Sequence, residues 1–408
     1  MKNKIISGLD FMIYWMIILL PFFTGIAPAF PHAFIGVMTF CFVTKKIIKR
    51  DKFFDYTPIN LPFFLLLAAA VISFRNTINL FDSIHGIEKL VLHGFTFLVC
   101  SQEIRDKKHI SRIIISVALA TVLIGTDTIW QLFTGKDFIQ GEGLKYAIDM
   151  SRSTASFPNS NILGIYLTAL TPLVMGLALF YYKGRMKFFM LSGAILGATG
   201  VLLSFSRGAG LGLYLAILLM SIVRKNKLLV FSAVGLLAVF VILMPKNIKN
   251  WAKEINYNPV VFMVNYDRIS IYRNAINMTA HHPFIGVGVN TFCRNYATYK
   301  LPEPENAKSA QAVYAHNNFL QMAGEIGLIG LSMFLWLLFR LFKNAVKLYK
   351  KLDDQYFKIT LLSLIACLTA FLVNGMTETS MYYSRISMIF WYLVGFSLAF
   401  NKFDHIEK

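Results

Sequence analysis

Residues 320–338 have the sequence LQMAGEIGLIGLSMFLWLL, in which Glu325 is the one charged side chain. A helix of about 20 mostly apolar residues can cross the hydrocarbon core of a bilayer, so this stretch predicts a membrane span. His316 lies just before it, at the mouth of the span. Histidine has the unperturbed pKa nearest neutrality, so this residue either caps the helix at the interface or moves a proton there.

The whole chain has the composition of a protein that crosses a membrane many times. Of its 408 residues, 56% are hydrophobic and only 15% are charged, whereas roughly a quarter of the residues of a soluble domain are charged. The sequence contains twelve predicted spans of about 20 apolar residues each. They lie near residues 9–29, 32–48, 59–75, 84–101, 110–134, 160–182, 187–205, 209–223, 227–244, 317–341, 357–374 and 383–401.

The formal net charge of +19 does not predict a nucleic-acid partner, because the basic residues cluster between apolar spans. The connections after spans two, four, six, eight and ten each carry such a cluster: residues 45–52, 105–108, 183–187, 224–227 and 340–358. Basic connections stay in the cytoplasm. We therefore expect both termini to be cytoplasmic and the odd-numbered connections to be exported.

This pattern predicts an all-α integral membrane protein with about twelve transmembrane helices. Spans one to nine occupy residues 1–244, and spans ten to twelve with a short cytoplasmic tail occupy 316–408. Between them, residues 245–315 form a long exported loop that is large enough for a small subdomain. Apolar positions recur at helical spacing around 250–255 and 268–280, so we expect this loop to be partly helical.

Two arginines are candidate ligands for an anion on the exported face. Arg207 interrupts an apolar stretch from 188 to 222, which predicts two spans joined by a tight turn with the arginine at its tip. Arg268 is placed where the second predicted helix of the loop opens. The planar guanidinium group of an arginine can donate two parallel hydrogen bonds to phosphate oxygens. The alternatives are a snorkelling anchor for Arg207, and for Arg268 a solvated charge or a pair with the adjacent Asp267.

Other polar residues in the membrane region have less specific interpretations. His281 and His282 are adjacent, so their side chains diverge, and no acidic cluster joins them; we predict no metal site. Glu325 is nine residues beyond His316 and falls on the opposite face of a continuous helix, which argues against a direct pair.

Three basic residues form a stripe in the fourth predicted span. His85, Lys89 and His93 recur every four residues, beside Glu88, and so share one helix face. This stripe either lines a cavity for an anionic lipid or forms a buried polar network that fixes helix packing.

The motif His316-Asn317, nine residues, then Gly327-x-x-Gly330 resembles the pattern of the O-antigen ligase family, the lipid-linked polysaccharide glycosyltransferases of bacterial inner membranes. Four further motifs support the resemblance: Ser206-Arg207-Gly208, Arg268 with the aromatic Tyr272, Pro283-x-x-Gly286-x-Gly288, and Phe157-Pro158-Asn159-Ser160-Asn161 before the sixth span. Tyr272 departs mildly from the family, which commonly has tryptophan there.

The resemblance implies a helical membrane bundle with a periplasmic loop, in the bacterial inner membrane. It implies transfer of a glycan from undecaprenyl diphosphate to a sugar hydroxyl of the lipid A core, without cofactor or metal and with inversion. His316 would be the catalytic base, and Arg207 and Arg268 would bind the diphosphate. Secondary candidates for the site are Asn317, Tyr272, Asn161, Lys89 and Glu325.

Two other functions stay open at the level of the sequence. An O-antigen polymerase uses the same lipid-linked donor with another lipid-linked chain as acceptor, although its members fit the His316 pattern less well. A transporter should have inverted repeats and discontinuous helices at the midplane; the sequence shows no repeat, and its unusual polar residues gather at one face.

Overall fold

A computed structural model describes residues 2–141, 143–147, 150–242, 246–303 and 314–405. Its α-helices are α1 Lys2–Ile26, α2 Ala29–Lys49, α3 Asn60–Ile72, α4 Leu80–Glu103, α5 Lys107–Thr134, α6 Ser160–Phe180, α7 Gly184–Leu203, α8 Arg207–Val223, α9 Lys227–Ile242, α10 Lys246–Glu254, α11 Pro259–His281, α12 Phe292–Asn295, α13 Asn318–Lys351, α14 Gln355–Asn374 and α15 Ser384–Ala399. A small antiparallel hairpin of β1 Lys145–Ala147 and β2 Met150–Arg152 was not predicted from the sequence.

The structure confirms an all-α membrane protein. Each of the twelve predicted spans coincides with a helix, α1 to α9 and α13 to α15. Within the described residues, eight helices are long and apolar enough to cross a membrane, and the apolar segments Asn60–Asn76 and Arg207–Val223 are shorter. The number of spans that cross therefore stays a prediction.

The basic connections lie together at one end of the bundle, which we call the basic end. Lys45 in α2 forms ion pairs with Asp10 in α1 at 2.8 Å and with Glu103 at the end of α4 at 2.6 Å. Lys107 at the start of α5 reaches Asp354, just before α14, at 2.6 Å. These contacts join the second, fourth and tenth connections.

Aromatic contacts bring the sixth and eighth connections to the same end. Tyr181, just after α6, packs against Tyr356 in α14 with ring centroids 5.0 Å apart. The guanidinium of Arg224, just after α8, lies over the Phe180 ring at 5.7 Å. The five clusters assigned to the cytoplasm are thus on one side of the protein, as the charge pattern requires.

The opposite end, which we call the site end, gathers the long connections. Ser153 donates its backbone N–H to Leu203 at the end of α7 at 3.2 Å. Arg385 at the start of α15 donates to the Thr24 carbonyl near the end of α1 at 2.7 Å. The segment 246–303 also packs here and has a small apolar core of its own around Ile271, Met278 and Phe292.

The helix α13 is broken at Gly327, which has φ 70° and ψ −179°. The loop 283–288 fills the break: Val287 donates to the Gly324 carbonyl at 3.0 Å, and Leu328 donates to the Pro283 carbonyl at 2.7 Å. The backbone groups freed by the break are therefore satisfied by protein, as burial away from water requires. A broken helix in a transporter would instead direct such groups at a transported ion.

Glycine is required on both sides of this contact. A Cβ on Gly327 would lie 2.2 Å from the Phe284 carbonyl oxygen, and one on Gly286 would lie 2.3 Å from the Glu325 backbone. Both residues also have positive φ, which disfavours other side chains. The two glycine motifs singled out in the sequence are therefore the two faces of one backbone contact.

We predict that residue 256 is accessible from outside the cell and that residue 226, at the basic end, is not. The parent for this test carries Cys293→Ser, because Cys293 is the exposed one among the four free cysteines. A membrane-impermeant thiol reagent should modify Asn256→Cys in intact cells and Asn226→Cys only after permeabilisation. Labelling of Asn226→Cys in intact cells would reverse the topology.

Candidate active site

Glu378 lies at the centre of the site, in the turn between α14 and α15. Its Oε1 is 2.7 Å from His316 Nδ1, and its Oε2 accepts a hydrogen bond of 2.8 Å from Arg268 Nη2. Only 5% of the Glu378 side chain is exposed. The carboxylate therefore joins the histidine predicted for proton transfer to one of the arginines predicted for anion binding.

The backbone around His316 is held by the start of α13. Asn317 caps this helix: its Oδ1 accepts from the Phe319 and Leu320 N–H groups at 2.9 and 3.1 Å. His316 itself has φ 49°, a conformation that is uncommon for residues other than glycine. Such a conformation persists only where the surroundings impose it.

Two further contacts fix this conformation. Tyr272 donates its hydroxyl to the His316 carbonyl at 3.0 Å. Asn317 Nδ2 donates to the Met376 carbonyl at 3.0 Å. The segment 316–317 is thereby tied to α11 on one side and to the turn that carries Glu378 on the other.

Burial alone would raise the pKa of Glu378, because it penalises the charged form. The hydrogen bond from His316 and the positive charge of Arg268 outweigh burial and lower the pKa to about 2. Glu378 is therefore a carboxylate at neutral pH. A carboxylate on one ring nitrogen fixes the orientation of an imidazole and stabilises the imidazolium that forms when the other nitrogen takes a proton.

Arg268 is positioned by a break in α11 at Asn265, which has φ 61°. The Asn265 side chain accepts from the Arg268 N–H at 3.0 Å and so caps the second half of the helix. The prediction that Arg268 opens a helix fits this geometry. Its guanidinium also donates to the Thr377 carbonyl. Arg268 thus forms its ion pair with Glu378 in a distant turn. The alternative considered from the sequence was a pair with the adjacent Asp267.

Arg207 is the first residue of α8 and turns toward α10 and α11. It donates to the Phe262 carbonyl, and its guanidinium lies 5.0 Å from the centre of the Trp251 ring. The next residue is Gly208, where a Cβ would meet the Thr377 side chain. Because Gly208 has no side chain, α8 can approach the turn that carries Glu378. Arg207, the first residue of α8, is brought close to this turn in the same way.

A third arginine, Arg152, was not singled out from the sequence. Its Nη2 donates to Asn161 Oδ1 at 2.8 Å, and Asn161 Nδ2 donates in turn to Glu378 Oε2 at 2.9 Å. Burial and the nearby charge of Arg268 lower the pKa of Arg152, while Glu378 opposes them. Arg152, Arg207 and Arg268 interact electrostatically with one another. We call these three residues the arginine cluster.

The arginine cluster carries more positive charge than Glu378 neutralises. Three guanidinium groups and one carboxylate leave a local excess of two positive charges. Such an excess in a partly buried site favours a bound anion, and guanidinium groups match phosphate oxygens in geometry. The arrangement is therefore suited to a diphosphate beside a histidine.

The secondary candidates divide into two groups. Tyr272, Asn317 and Asn161 belong to the site, through the contacts described above. Glu325 does not contact His316: it is fully buried and accepts from the Asn290 and Phe292 N–H groups at 2.8 and 3.1 Å, which ties the 283–292 loop to α13. Lys89 lines a separate cavity.

The adjacent histidines have structural partners. His282 contacts Asn76 at 3.3 Å and the Tyr299 hydroxyl at 2.7 Å, and His281 contacts the Asn277 carbonyl. Among the described residues, no three His, Cys, Asp or Glu side chains are grouped closely enough to hold a metal ion.

Glu378 and Arg152 were not predicted from the sequence, for different reasons. Glu378 is an acidic residue in a short turn between two apolar spans, and an ionisable group near membrane depth is itself a sign of function or of a partner. Arg152 lies in a long connection with no motif around it, so only the fold brings it to the other arginines.

A family model described as O-antigen ligase matches residues 192–335 of the chain. The matched region contains Arg207, Arg268 and His316, and it ends before Glu378. No curated protein matches the chain. The match confirms the resemblance to the O-antigen ligase family and covers every motif given for it except the one at residues 157–161. It supports a lipid-linked glycan transferase of the ligase or polymerase type.

Replacing Glu378 should destabilise the site end. Glu378→Gln leaves Arg268 partly buried without its opposite charge, and breaking a buried ion pair costs about 3–5 kcal/mol. Thermal unfolding in detergent compares the stability of the parent with that of Glu378→Gln. Glu88→Gln is the control, because Glu88 is exposed.

The difference in stability between the parent and Glu378→Gln should depend on pH. The pKa of Glu378 is lowered in the folded protein, so its stabilisation is present above the ordinary carboxyl pKa of 4.5 and is lost as pH falls toward 2. The difference between parent and Glu378→Gln should be full at pH 7 and shrink below about pH 4.5. A difference that is constant down to pH 3 would show that the carboxylate charge is not its cause.

Proposed function

We propose that this chain, which contains an O-antigen ligase family region at residues 192–335, transfers a glycan from undecaprenyl diphosphate to a sugar hydroxyl of the lipid A core. The reaction takes place at the periplasmic face of the bacterial inner membrane, where the site end faces outward and both termini are cytoplasmic. The observation that carries the proposal is the link His316–Glu378–Arg268 beside two further arginines.

The arginine cluster binds the diphosphate of the donor. Arg268 donates hydrogen bonds to Glu378 and to the Thr377 carbonyl. A guanidinium has five N–H donors, so some of them remain for phosphate oxygens. Negative charge grows on the diphosphate as its bond to the sugar breaks. Fixed positive charges at that position stabilise the transition state more than the bound substrate, which is the condition for catalysis.

His316 acts as the general base on the acceptor. Glu378 holds Nδ1, and among the described residues Nε2 makes no hydrogen bond, so Nε2 is the nitrogen that can take a proton. The acceptor hydroxyl gives its proton to Nε2, and its oxygen forms a bond to the anomeric carbon. The bond from that carbon to the diphosphate oxygen breaks, and undecaprenyl diphosphate leaves with the electron pair. A single displacement of this kind inverts the anomeric carbon.

The remaining members of the site keep this geometry. Tyr272 is half-buried, and desolvation raises its pKa to about 12, although the charge of Arg268 opposes the shift. Its hydroxyl therefore stays protonated and keeps donating to the carbonyl next to the imidazole. Asn161 connects Arg152 to Glu378, so two arginines and the histidine are bonded through one carboxylate. Displacing any one of them disturbs the others.

The polymerase alternative predicts a different glycolipid profile and is tested in a deletion strain. Without a ligase, long glycan chains remain on the carrier lipid and are missing from the surface glycolipid. Without a polymerase, the surface glycolipid carries single repeat units. The ligase proposal requires the first result, and single-unit chains would assign polymerase activity instead.

Arg207→Ala and Arg268→Ala should each fail to restore the surface glycolipid when expressed in the deletion strain. Each variant removes a fixed charge from the diphosphate site, and lysine at either position should restore little because it lacks the two-pronged geometry. Membrane levels of each variant are measured in parallel, and Arg294→Ala, exposed and outside the cluster, is the control. Full complementation by an alanine variant, or metal-reversible inhibition by EDTA, would contradict this proposal.

His316→Ala should lower turnover by about 10²- to 10⁴-fold, the usual contribution of a positioned base. Donor binding should survive, because the arginines hold the diphosphate. His316→Gln keeps a hydrogen-bonding group but cannot accept a proton near neutral pH, so it should be as slow as the alanine variant. A nearly normal Gln variant would assign His316 to orientation of the acceptor, and loss of donor binding would place it in the diphosphate site.

A further inference from the structure

A cavity separate from the arginine cluster opens between α3, α4, α13 and α15. Its volume is about 70 Å³, several times the roughly 10–15 Å³ that one water molecule needs on the same measure. Most of its wall is apolar, with Leu66, Met322, Ile326 and Trp391 among the lining residues. None of its lining residues belongs to the arginine cluster.

Two basic side chains line this otherwise apolar cavity. Lys89 has no ion pair with any residue the structure describes, although an ionisable group inside a membrane span usually has a partner. His93 lies one helical turn further along the same face. It is only 3% exposed, and its Nε2 has no hydrogen-bond partner in the described part of the chain.

The unpaired nitrogen of His93 can act as a donor. Its other ring nitrogen, Nδ1, is 3.0 Å from the Ser387 hydroxyl. When that hydroxyl donates to Nδ1, the proton of the neutral ring is on Nε2, which is then free to bond to an acceptor. A buried polar group without a partner is costly, so an acceptor supplied by a ligand would stabilise the site.

We propose that this cavity is a lipid-binding site that takes the phosphate-bearing end of an acylated membrane lipid. Lys89 and His93 bind the phosphate, and the acyl chain packs against the apolar wall beside Trp391. The stripe of basic residues on α4 thus serves a ligand, the first of the two alternatives that the sequence left open. This inference does not depend on the transfer reaction, because it rests on a different cavity.

Trp391 provides a local probe of occupancy. It lines the cavity and is fully buried, so a brominated acyl chain can quench its fluorescence by contact only from inside the cavity. The other four of the five tryptophans, Trp15, Trp130, Trp251 and Trp336, are replaced by phenylalanine. The protein is placed in nanodiscs of phosphatidylcholine to which brominated phosphatidic acid is added, with brominated phosphatidylcholine as the comparison.

Brominated phosphatidic acid should quench the fluorescence of Trp391 at a mole fraction at which brominated phosphatidylcholine does not. Lys89→Met should weaken the apparent affinity at least about tenfold, as loss of one charge-assisted bond predicts. Lys89→Arg should retain it, and the exposed Lys136→Met should behave as the parent. Equal quenching by both lipids, or an unchanged Lys89→Met, would overturn the proposal.

A second measurement keeps the test independent of the tryptophan replacements and identifies the source of the phosphate. Native mass spectrometry of the otherwise unaltered chain should show a phosphatidic acid adduct that Lys89→Met loses and Lys136→Met keeps. Inorganic phosphate should not displace the lipid, because the acyl chain contributes to binding. Displacement by millimolar phosphate would show a soluble phosphate site and contradict a lipid site.

Discussion

The site depends on one buried carboxylate. Glu378 bonds to His316 and Arg268 directly and to Arg152 through Asn161. Side chains from three separate parts of the chain, His316, Arg268 and Asn161, therefore bond to its two oxygen atoms. Burying a charge is favourable only when it is paired and hydrogen-bonded, so the carboxylate and the basic groups around it require one another. The same pairing that holds the fold at this end also sets the orientation of the imidazole.

The two glycine motifs serve this arrangement from a distance. The break in α13 at Gly327 and the loop 283–288 bond to each other through their backbones. This contact fixes the segment 246–303 against α13, and with it the second half of α11, which carries Arg268 and Tyr272. The start of α13 carries His316. The geometry proposed for catalysis thus depends on this backbone contact, in which no other residue could replace either glycine, since neither position has room for a Cβ.

Much of the fold could be predicted because hydrophobicity and charge act locally. Apolar stretches of membrane length coincide with helices, and the basic connections lie together at one end. Both features could be predicted because the hydrophobicity of a span and the charge of a connection depend only on residues adjacent in the sequence. The site was predicted in part. His316, Arg207 and Arg268 stand in recognisable motifs, and the structure brings them around one turn. Glu378, Arg152 and the break at Gly327 depend on contacts between distant segments, which no single stretch of sequence specifies.

The most direct test of the central claim is the anomeric configuration of the transferred sugar. The purified protein is supplied with an undecaprenyl diphosphate-linked glycan and a lipid A-core acceptor, and the new linkage is assigned by NMR. A base at His316 and a diphosphate held by arginines require one displacement, with an inverted linkage and one undecaprenyl diphosphate released per transfer. A retained configuration would require a covalent glycosyl intermediate and would contradict the account.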